Sequence, residues 1–221
     1  MVILLFGPPG CGKGTQAAFL VDKLQIPAIS TGEMFRAECQ AGTVLGRRAQ
    51  FLLASGQLIG DDIVNEMVAS RIGAADCANG FLLDGYPRTV GQAAYFSALL
   101  RERDLPDPVV FHIDVPDELL VRRLAARRQC PKCHKIYNLL SKPPALDGRC
   151  DGDGTALITR DDDQESIIRD RLRAYADQTG PVLSYYGHSR VIRVDGTLPV
   201  SEVATAIDDA LAHPLVRSQV S

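Results

Sequence analysis

Short apolar runs alternate along the chain with longer stretches in which apolar residues recur every three or four positions. Continuous apolar runs are typical of strands buried on both faces of a parallel sheet, and the longer stretches are typical of helices packed against one. The pattern therefore predicts a parallel α/β sheet. The predicted strands are Val2 to Phe6, Ala28 to Ser30, Phe81 to Asp84, Val109 to Val115 and Val191 to Val194.

Three stretches have the periodicity of helices with one apolar face. The last of them opens at Pro199, a residue favoured at helix starts, and repeats apolar residues at positions 200, 203, 207 and 211. The other two are predicted over Asp117 to Arg128 and Gln164 to Tyr175.

Three arginines fall inside the apolar faces of these two predicted helices. At 100° per residue, Arg123 and Arg127 lie within the arc of the first helix and Arg171 near the middle of the second. An unpaired guanidinium there would cost several kcal/mol or more, so anionic partners are expected, with phosphates foremost. The alternative is that the long side chains extend past the core to water.

Two segments interrupt the alternation of strands and helices. Residues from about 31 to 60 lack a central strand, and residues from about 129 to 161 are rich in Pro, Gly, Asp and Cys. Both are predicted to be insertions over the carboxyl edge of the sheet, where open α/β folds bind ligands.

A glycine-rich loop follows the first predicted strand directly. Residues 7 to 15 read Gly-Pro-Pro-Gly-Cys-Gly-Lys-Gly-Thr, which places Gly7, Gly12 and Lys13 at the spacing G-x-x-x-x-G-K. Between a strand and a helix, such a loop wraps phosphate with backbone N–H groups while the lysine adds positive charge. The sequence predicts a nucleoside triphosphate site, although the hydroxyl comes one residue late, at Thr15. An ordinary glycine-rich turn is the alternative.

A second signal lies at the end of the third predicted strand, in the run Phe-Leu-Leu-Asp-Gly-Tyr-Pro-Arg at 81 to 88. Asp84 ends a buried strand at the ligand edge and is predicted to order Mg²⁺ through its water shell. Arg88 is expected to face the same crevice. A loop aspartate paired with a loop arginine is the structural alternative.

Composition narrows the class of protein. The 221 residues are 46% hydrophobic and 23% charged, with a formal net charge of −3, so no overall basic character points to a nucleic acid or an anionic membrane. The first apolar run is too short for a signal peptide or a membrane span, so a cytoplasmic location is expected. In that reducing compartment the six cysteines are expected to be thiols or metal ligands.

Two cysteine-containing pairs with the same spacing lie in the second insertion. Cys130 and Cys133 are followed, after sixteen residues, by Cys150 and Asp153. Three thiolates and a carboxylate suit a structural Zn²⁺, and iron or cobalt accept the same ligands. Asp151 and His134 are alternatives for the fourth ligand, and unliganded thiols are the alternative to a metal site. The remaining cysteines, Cys11, Cys39 and Cys77, are expected to be packing residues.

Five segments stand in order along the chain: GPPGCGKGTQ at 7–16, STGEMFR at 30–36, GQLIGDDIV at 56–64, FLLDGYPRT at 81–89 and TRDDD at 159–163. They resemble the signatures of bacterial adenylate kinases with zinc-bearing lids, and the resemblance covers essentially the whole chain. The resemblance implies a five-stranded parallel sheet flanked by helices, of the P-loop nucleoside monophosphate kinase type, with two inserted lobes. It places the core at 1–29, 60–125 and 164–221, an AMP-binding insertion at 30–59 and a lid at 126–163.

The same resemblance implies roles for individual residues in transfer of a phosphoryl group from MgATP to AMP. The implied catalytic residues are Lys13, Arg88, Arg123, Arg160 and Arg171. The implied ATP site comprises Gly10, Cys11, Gly12, Lys13, Gly14, Thr15, Arg123, Arg127, Ile136, Tyr137 and Leu198. The implied AMP site comprises Thr31, Arg36, Gln57, Leu58, Ile59, Gly85, Tyr86, Pro87, Arg88, Gln92, Arg160 and Arg171.

Two other functions stay open at this point. One is a kinase of the same fold that phosphorylates another monophosphate, such as CMP or UMP, or takes GTP as donor. The other is a zinc ribbon that binds nucleic acid or protein, with the phosphate loop as a switch, although the aspartate-rich lobe lacks the basic, aromatic surface expected for nucleic acid. The partners expected are ATP, AMP and ADP, and the protein is expected to be a monomer.

Overall fold

The computed structural model describes residues 1–44, 46–47, 60–187 and 190–213. Gln57, Leu58 and Ile59, which the sequence assigns to the AMP site, lie outside the described residues.

The strands of the described residues are β1 (Val2–Phe6), β2 (Ala28–Ser30), β3 (Phe81–Asp84), β4 (Val109–Asp114), β5 (Arg127–Gln129), β6 (Ile136–Asn138) and β7 (Val191–Asp195). Five of them form a parallel central sheet in the order β2-β3-β1-β4-β7. The other two, β5 and β6, form a separate antiparallel hairpin.

Helices cover both faces of the sheet, so the predicted α/β architecture with a five-stranded parallel sheet is confirmed. The helices are α1 (Lys13–Leu24), α2 (Thr31–Gln40), α3 (Asp61–Ile72), α4 (Val90–Glu102), α5 (Asp117–Ala125), α6 (Glu165–Ala174), α7 (Gly180–Tyr186) and α8 (Val200–Ala212).

The central strand β1 shows why the apolar runs are continuous. Leu4 and Phe6 pack into a core that includes α3, α4 and α7, whereas Ile3 and Leu5 pack into a second core with α1 and α8. Successive side chains of a strand point to opposite faces, so a strand covered on both sides needs apolar residues at every position. All five residues of β1 are buried.

The predicted bounds of β1, β2 and β3 match the structure, β4 ends one residue earlier than predicted, and β7 is one residue longer. The helix predicted for Asp117 to Arg128 is wrong at its end, because α5 stops at Ala125. Arg127 instead begins β5, whose backbone pairs with β6. Long-range strand pairing thus takes over where local periodicity still favours a helix.

The hairpin β5-β6 belongs to a small lobe with its own core. Cys130, Tyr137 and Cys150 are buried together, with Leu157 packed against them. Such a small cluster supplies little hydrophobic stabilisation by itself.

Within the described ranges, none of the helices combines the length and the apolar character needed to cross a bilayer.

Candidate active site

The loop between β1 and α1 has the conformation that its glycines permit. Gly7, Gly10 and Gly12 have φ angles of 148°, 85° and 109°. A Cβ on Gly7 would lie 2.5 Å from the Cys11 Sγ and 2.6 Å from the carbonyl oxygen of Ile113, so only glycine fits there. A Cβ on Gly12 would meet no described atom within 4 Å, so space is open where α1 begins. The free N–H groups of a helix start favour an anion in such a place.

Lys13 is the first residue of α1, and its side chain lies back over the loop. Its Nζ donates to the carbonyl oxygens of Gly7 at 2.7 Å and Pro8 at 3.1 Å. The ammonium charge is therefore held beside the backbone of the loop, as the sequence predicts for a phosphate-binding lysine.

Cys11 contributes packing to the loop. Its side chain is buried against Ile113 and Leu124, and burial raises the pKa of its thiol. The other two cysteines predicted to be packing residues, Cys39 and Cys77, border the core that includes α3 and α4. Only the backbone of Cys11 is thus placed to contribute to the predicted ATP site.

Asp84 brings a carboxylate next to the start of α1. It ends β3, where it is in register with Leu5 on one side and Ser30 on the other. A Cβ on Gly14 would lie 3.9 Å from the Asp84 Oδ2, so the carboxylate borders the first turn of α1. This arrangement suits a carboxylate that orders a hydrated cation beside bound phosphates.

Two residues predicted to bind AMP, Thr31 and Arg88, converge on the carbonyl oxygen of Gly85. The Thr31 Oγ1 donates to it at 2.9 Å and the Arg88 Nε at 2.7 Å. Gly85 has a φ of 80°, and a Cβ there would lie 2.9 Å from an Arg88 Nη atom. The glycine thus permits both the turn and the close approach of the guanidinium.

The rest of the loop after β3 is anchored to α3 and α4. The buried Tyr86 donates its hydroxyl to the Asn65 Oδ1 at 2.6 Å, and a cis peptide bond connects it to Pro87. The Arg88 backbone N–H donates to the Gln92 Oε1 at 2.7 Å. Tyr86 and Pro87 therefore shape this loop from its buried side.

Four of the predicted arginines share one electrostatic environment. Burial lowers the pKa of Arg88, Arg171 and Arg36 lower it further, and Asp84 raises it. Burial likewise lowers the pKa values of Arg36, Arg160 and Arg171, while Asp162 raises and Arg127 lowers each of them by smaller amounts. Arginine stays protonated at neutral pH, so these shifts mean that the cations are incompletely compensated. A polyanion among them would restore the balance.

The partners of the helix-face arginines are carboxylates and carbonyls, which the prediction of phosphate partners did not include. Arg127 donates through Nε to the Asp163 Oδ2 at 2.8 Å, and Arg171 pairs with Asp162 at 2.9 Å. Arg123 donates to the carbonyl oxygen of Gly196 at 2.9 Å, which joins α5 to the turn after β7. Nothing in the sequence separates Asp162 and Asp163 from the surrounding acidic residues.

The residues predicted to cover the donor nucleotide divide into exposed and buried ones. Ile136 and Leu198 are 41% and 39% exposed. Tyr137 is buried, donates its hydroxyl to the Cys150 Sγ at 3.4 Å and accepts the Asp151 N–H at 2.8 Å. The Tyr137 side chain thus organises the lobe, which leaves its backbone for any contact with a nucleotide.

The lobe brings together the four predicted metal ligands. One ligand atom from each of Cys130, Cys133, Cys150 and Asp153 lies within 4.8 Å of all the others. Asp151, an alternative fourth ligand, instead accepts the Ala145 N–H at 2.8 Å. The geometry and the donor set fit a single thiolate-preferring ion.

A phosphate loop after the central strand of a parallel sheet, facing a group of undercompensated arginines, defines a P-loop phosphotransferase. The family model described as adenylate kinase matches residues 5–191. The chain belongs to the adenylate kinase family.

Three relatives extend this match over nearly the full chain. The adenylate kinase of Trichlorobacter lovleyi is 45% identical over 214 residues, which cover 96% of this chain and 100% of the relative. Those of Finegoldia magna and Thermosipho melanesiensis are each 43% identical, over 94% and 92% of this chain and 97% and 95% of their own lengths. The predicted family and enzyme class are confirmed.

Proposed function

We propose that this protein transfers the terminal phosphoryl group of MgATP to AMP, reversibly, to give two ADP. The observation that carries the proposal is the group of partly buried guanidiniums of Arg36, Arg88, Arg160 and Arg171, whose pKa values are all lowered by burial and by neighbouring arginines. Two polyanions in one crevice would supply the negative charge that this set lacks. The family membership supports the same reaction.

The donor phosphates are proposed to lie on the loop between Gly10 and Thr15. Space is open at Gly12, where α1 begins, and Lys13 lies beside the loop. In phosphoryl transfer, catalysis consists largely of positioning and of stabilising charge on the transferred group. Neither role requires a side-chain nucleophile or a strong base.

The phosphate of AMP, the acceptor, is proposed to bind between Arg36 and Arg88, on the side of β1 where β3 and β2 lie. Arg160 and Arg171 are proposed to reach the transferred group, and Arg123 and Arg127 the triphosphate of the donor. Arg88 is held at the Gly85 carbonyl and by the Gln92 side chain, so its guanidinium is positioned before any nucleotide arrives. Prior positioning reduces the entropy lost on reaching the transition state.

Asp84 is the residue that would hold Mg²⁺, through water. When bound, the ion would neutralise part of the phosphate charge. Asp84 lies at the carboxyl end of β3 beside α1, so its carboxylate is aimed at the side where the loop would hold the phosphates.

We further propose that residues 126–163 form a lid that excludes water, which is the competing acceptor, and that residues 30–59 form the AMP-binding lobe. The position of Arg160 supports the lid, because this residue lies in residues 126–163 and its pKa is lowered by the nearby charge of Arg36 in the AMP-binding lobe. Exclusion of water prevents hydrolysis and strengthens the charge interactions inside the site.

The Cys130, Cys133, Cys150 and Asp153 group is proposed to hold a structural Zn²⁺. No open coordination position is needed for phosphoryl transfer, so the ion would serve the small lobe, which has little core of its own. The monomeric state and the cytoplasmic location stay predictions.

A coupled assay of ATP with AMP, CMP, UMP and GMP tests the proposed reaction, with GTP as an alternative donor. ADP formation that requires AMP and Mg²⁺ is expected. Faster turnover of CMP or UMP than of AMP would contradict adenylate kinase activity and would assign another monophosphate kinase activity to the protein. Oligonucleotide binding in the absence of any transfer would instead favour a regulatory zinc ribbon.

A further inference from the structure

Asp61, the first residue of α3, holds the side chain of Gln92 from the side opposite Arg88. The Asp61 Oδ1 accepts from the Gln92 Nε2 at 2.8 Å, and its Oδ2 accepts from the Thr89 Oγ1 at 2.6 Å. The Gln92 Oε1 accepts the Arg88 backbone N–H at 2.7 Å. Gln92 is only 2% exposed, so both ends of its amide are held in a buried position.

These partners fix which end of the amide is oxygen and which is nitrogen. An ionised carboxylate only accepts hydrogen bonds, and a backbone N–H only donates. The Gln92 nitrogen must therefore face Asp61, and the oxygen must face Arg88. A flipped amide would set two acceptors together at Asp61 and two donors together at Arg88, both buried.

We propose that Asp61 is a positioning residue that sets the preference for the acceptor base, by locking Gln92 in the orientation that pairs with a 6-aminopurine. The proposal rests on the proposed function, which places Gln92 in the AMP site. Within the described part of the chain, Asp61 and Arg88 are the hydrogen-bond partners of the amide, so Oε1 keeps one lone pair and Nε2 one hydrogen.

The remaining lone pair of the Gln92 Oε1 and the remaining hydrogen of its Nε2 can form hydrogen bonds with adenine but not with a 6-oxopurine. Adenine offers an N6–H donor for Oε1 and the N1 acceptor for Nε2, and glutamine forms two-point contacts with adenine through just such a donor and acceptor pair. A 6-oxopurine reverses the pattern, with an O6 acceptor and an N1–H donor. Because the amide cannot flip, each of its groups then meets a like group and loses its hydrogen bond.

Three monophosphates that differ only at this edge test the locked orientation in the unmodified protein. AMP offers both complementary groups, purine riboside monophosphate keeps N1 but has no 6-substituent, and IMP reverses both groups. We expect kcat/KM to fall in that order, with IMP about 10²-fold or more below AMP. IMP turnover equal to or above that of purine riboside monophosphate would overturn the proposal.

Variants of Asp61 test its part in the lock. In Asp61→Ala we expect the AMP-to-IMP ratio of kcat/KM to fall about tenfold or more, with the KM for ATP unchanged. Asp61→Asn should keep the ratio, because its carbonyl still accepts from Gln92 and its amide donates to Thr89. Asp62→Ala is the matched control, since it removes the same charge from the same helix start at an exposed position.

Different results would overturn the proposed function and the proposed role of Asp61. A wild-type protein that does not phosphorylate AMP overturns the proposed function and this inference together. A wild-type protein that prefers AMP, with an Asp61→Ala variant that keeps the AMP-to-IMP ratio, overturns only the role of Asp61. Should Asp61→Ala not fold, the three-nucleotide series in the wild type still decides the orientation of Gln92.

Discussion

Arg127 and Asp163 form a two-point ion pair that joins β5, the first strand of the hairpin, to the segment just before α6. The Asp163 side chain is 0% exposed and that of Arg127 is 15% exposed. Arg171 in α6 lies 3.6 Å from the same carboxylate, so one buried anion is shared by cations from the hairpin and from α6.

Replacing Asp163 by alanine should lower the free energy of unfolding by about 3 kcal/mol, because two partly buried guanidiniums lose a buried counter-charge that they share. Urea denaturation measures the loss. Asp161→Ala, at an exposed position two residues earlier, should stay within about 0.5 kcal/mol of the wild type. Equal effects of the two substitutions would contradict a specific role for the buried pair.

Replacing Arg88 by alanine should reduce kcat by about 10³-fold or more, because the acceptor side loses a prepositioned cation at the reacting group. Steady-state kinetics and a thermal melt check the rate and the fold together. Arg122→Ala removes an exposed arginine from α5 and should leave both unchanged. Near-normal turnover of the Arg88 variant would remove this residue from the catalytic set.

Alanine at Gly7 should destabilise the protein by about 2 kcal/mol or more, since its methyl group meets Cys11 and Ile113 in addition to the backbone strain. Alanine at Gly12 has free space, so strain of about 1–2 kcal/mol is expected, together with weaker ATP binding. Denaturation and nucleotide titration separate the two effects. A Gly12 variant less stable than the Gly7 variant would contradict this account of the loop.

The proposed metal site predicts different zinc contents for variants of two neighbouring aspartates. Asp153→Asn should lower the zinc content measured after dialysis, whereas Asp151→Asn should keep about one ion per chain. Asparagine preserves an acceptor oxygen for the backbone N–H that each residue caps, Thr155 for Asp153 and Ala145 for Asp151. The reverse result would assign the fourth ligand to Asp151.

If the proposed ion stabilises the lobe and takes no part in the reaction, its removal by a chelator should lower the melting temperature and leave most of the activity at low temperature. Loss of activity at unchanged stability would show instead that the ion takes part in catalysis.

His112 in β4 should make the protein less stable as the pH falls. Burial lowers its pKa below the ordinary value of 6.5, so the unfolded chain binds a proton that the folded chain resists. Stability is therefore expected to decline below about pH 6.5 and to level off below the folded-state pKa. In urea titrations from pH 7.5 to 5, His112→Gln should reduce this decline, and an unchanged decline would contradict the role of His112.

The sheet could be predicted from the sequence because each strand carries its own evidence. Buried parallel strands are largely apolar, and glycine or proline borders each of these runs at Gly7, Pro27 and Gly85, so the sequence predicts the bounds of β1, β2 and β3 to the residue. The end of α5 could not be predicted this way, because Arg127 enters a strand whose partner, β6, lies farther along the chain.

The candidate site shows the same division. The phosphate loop and the cysteine pairs were evident from spacing, since neighbouring residues build each of them. The hydrogen bonds of Asp61 to Gln92, 31 residues away, and of Arg127 to Asp163, 36 residues away, depend on how distant segments pack. Spacing alone could not distinguish Asp61 from the adjacent Asp62.

The strand order also affects how such an enzyme can diversify. The loops after β2 and β3 lie on one side of β1, and those after β4 and β7 lie on the other. Substitutions in the loops after β2 and β3 therefore leave the strand ends that carry the loops after β4 and β7 unchanged. We expect such substitutions to change the preference for the monophosphate more than the preference for the triphosphate.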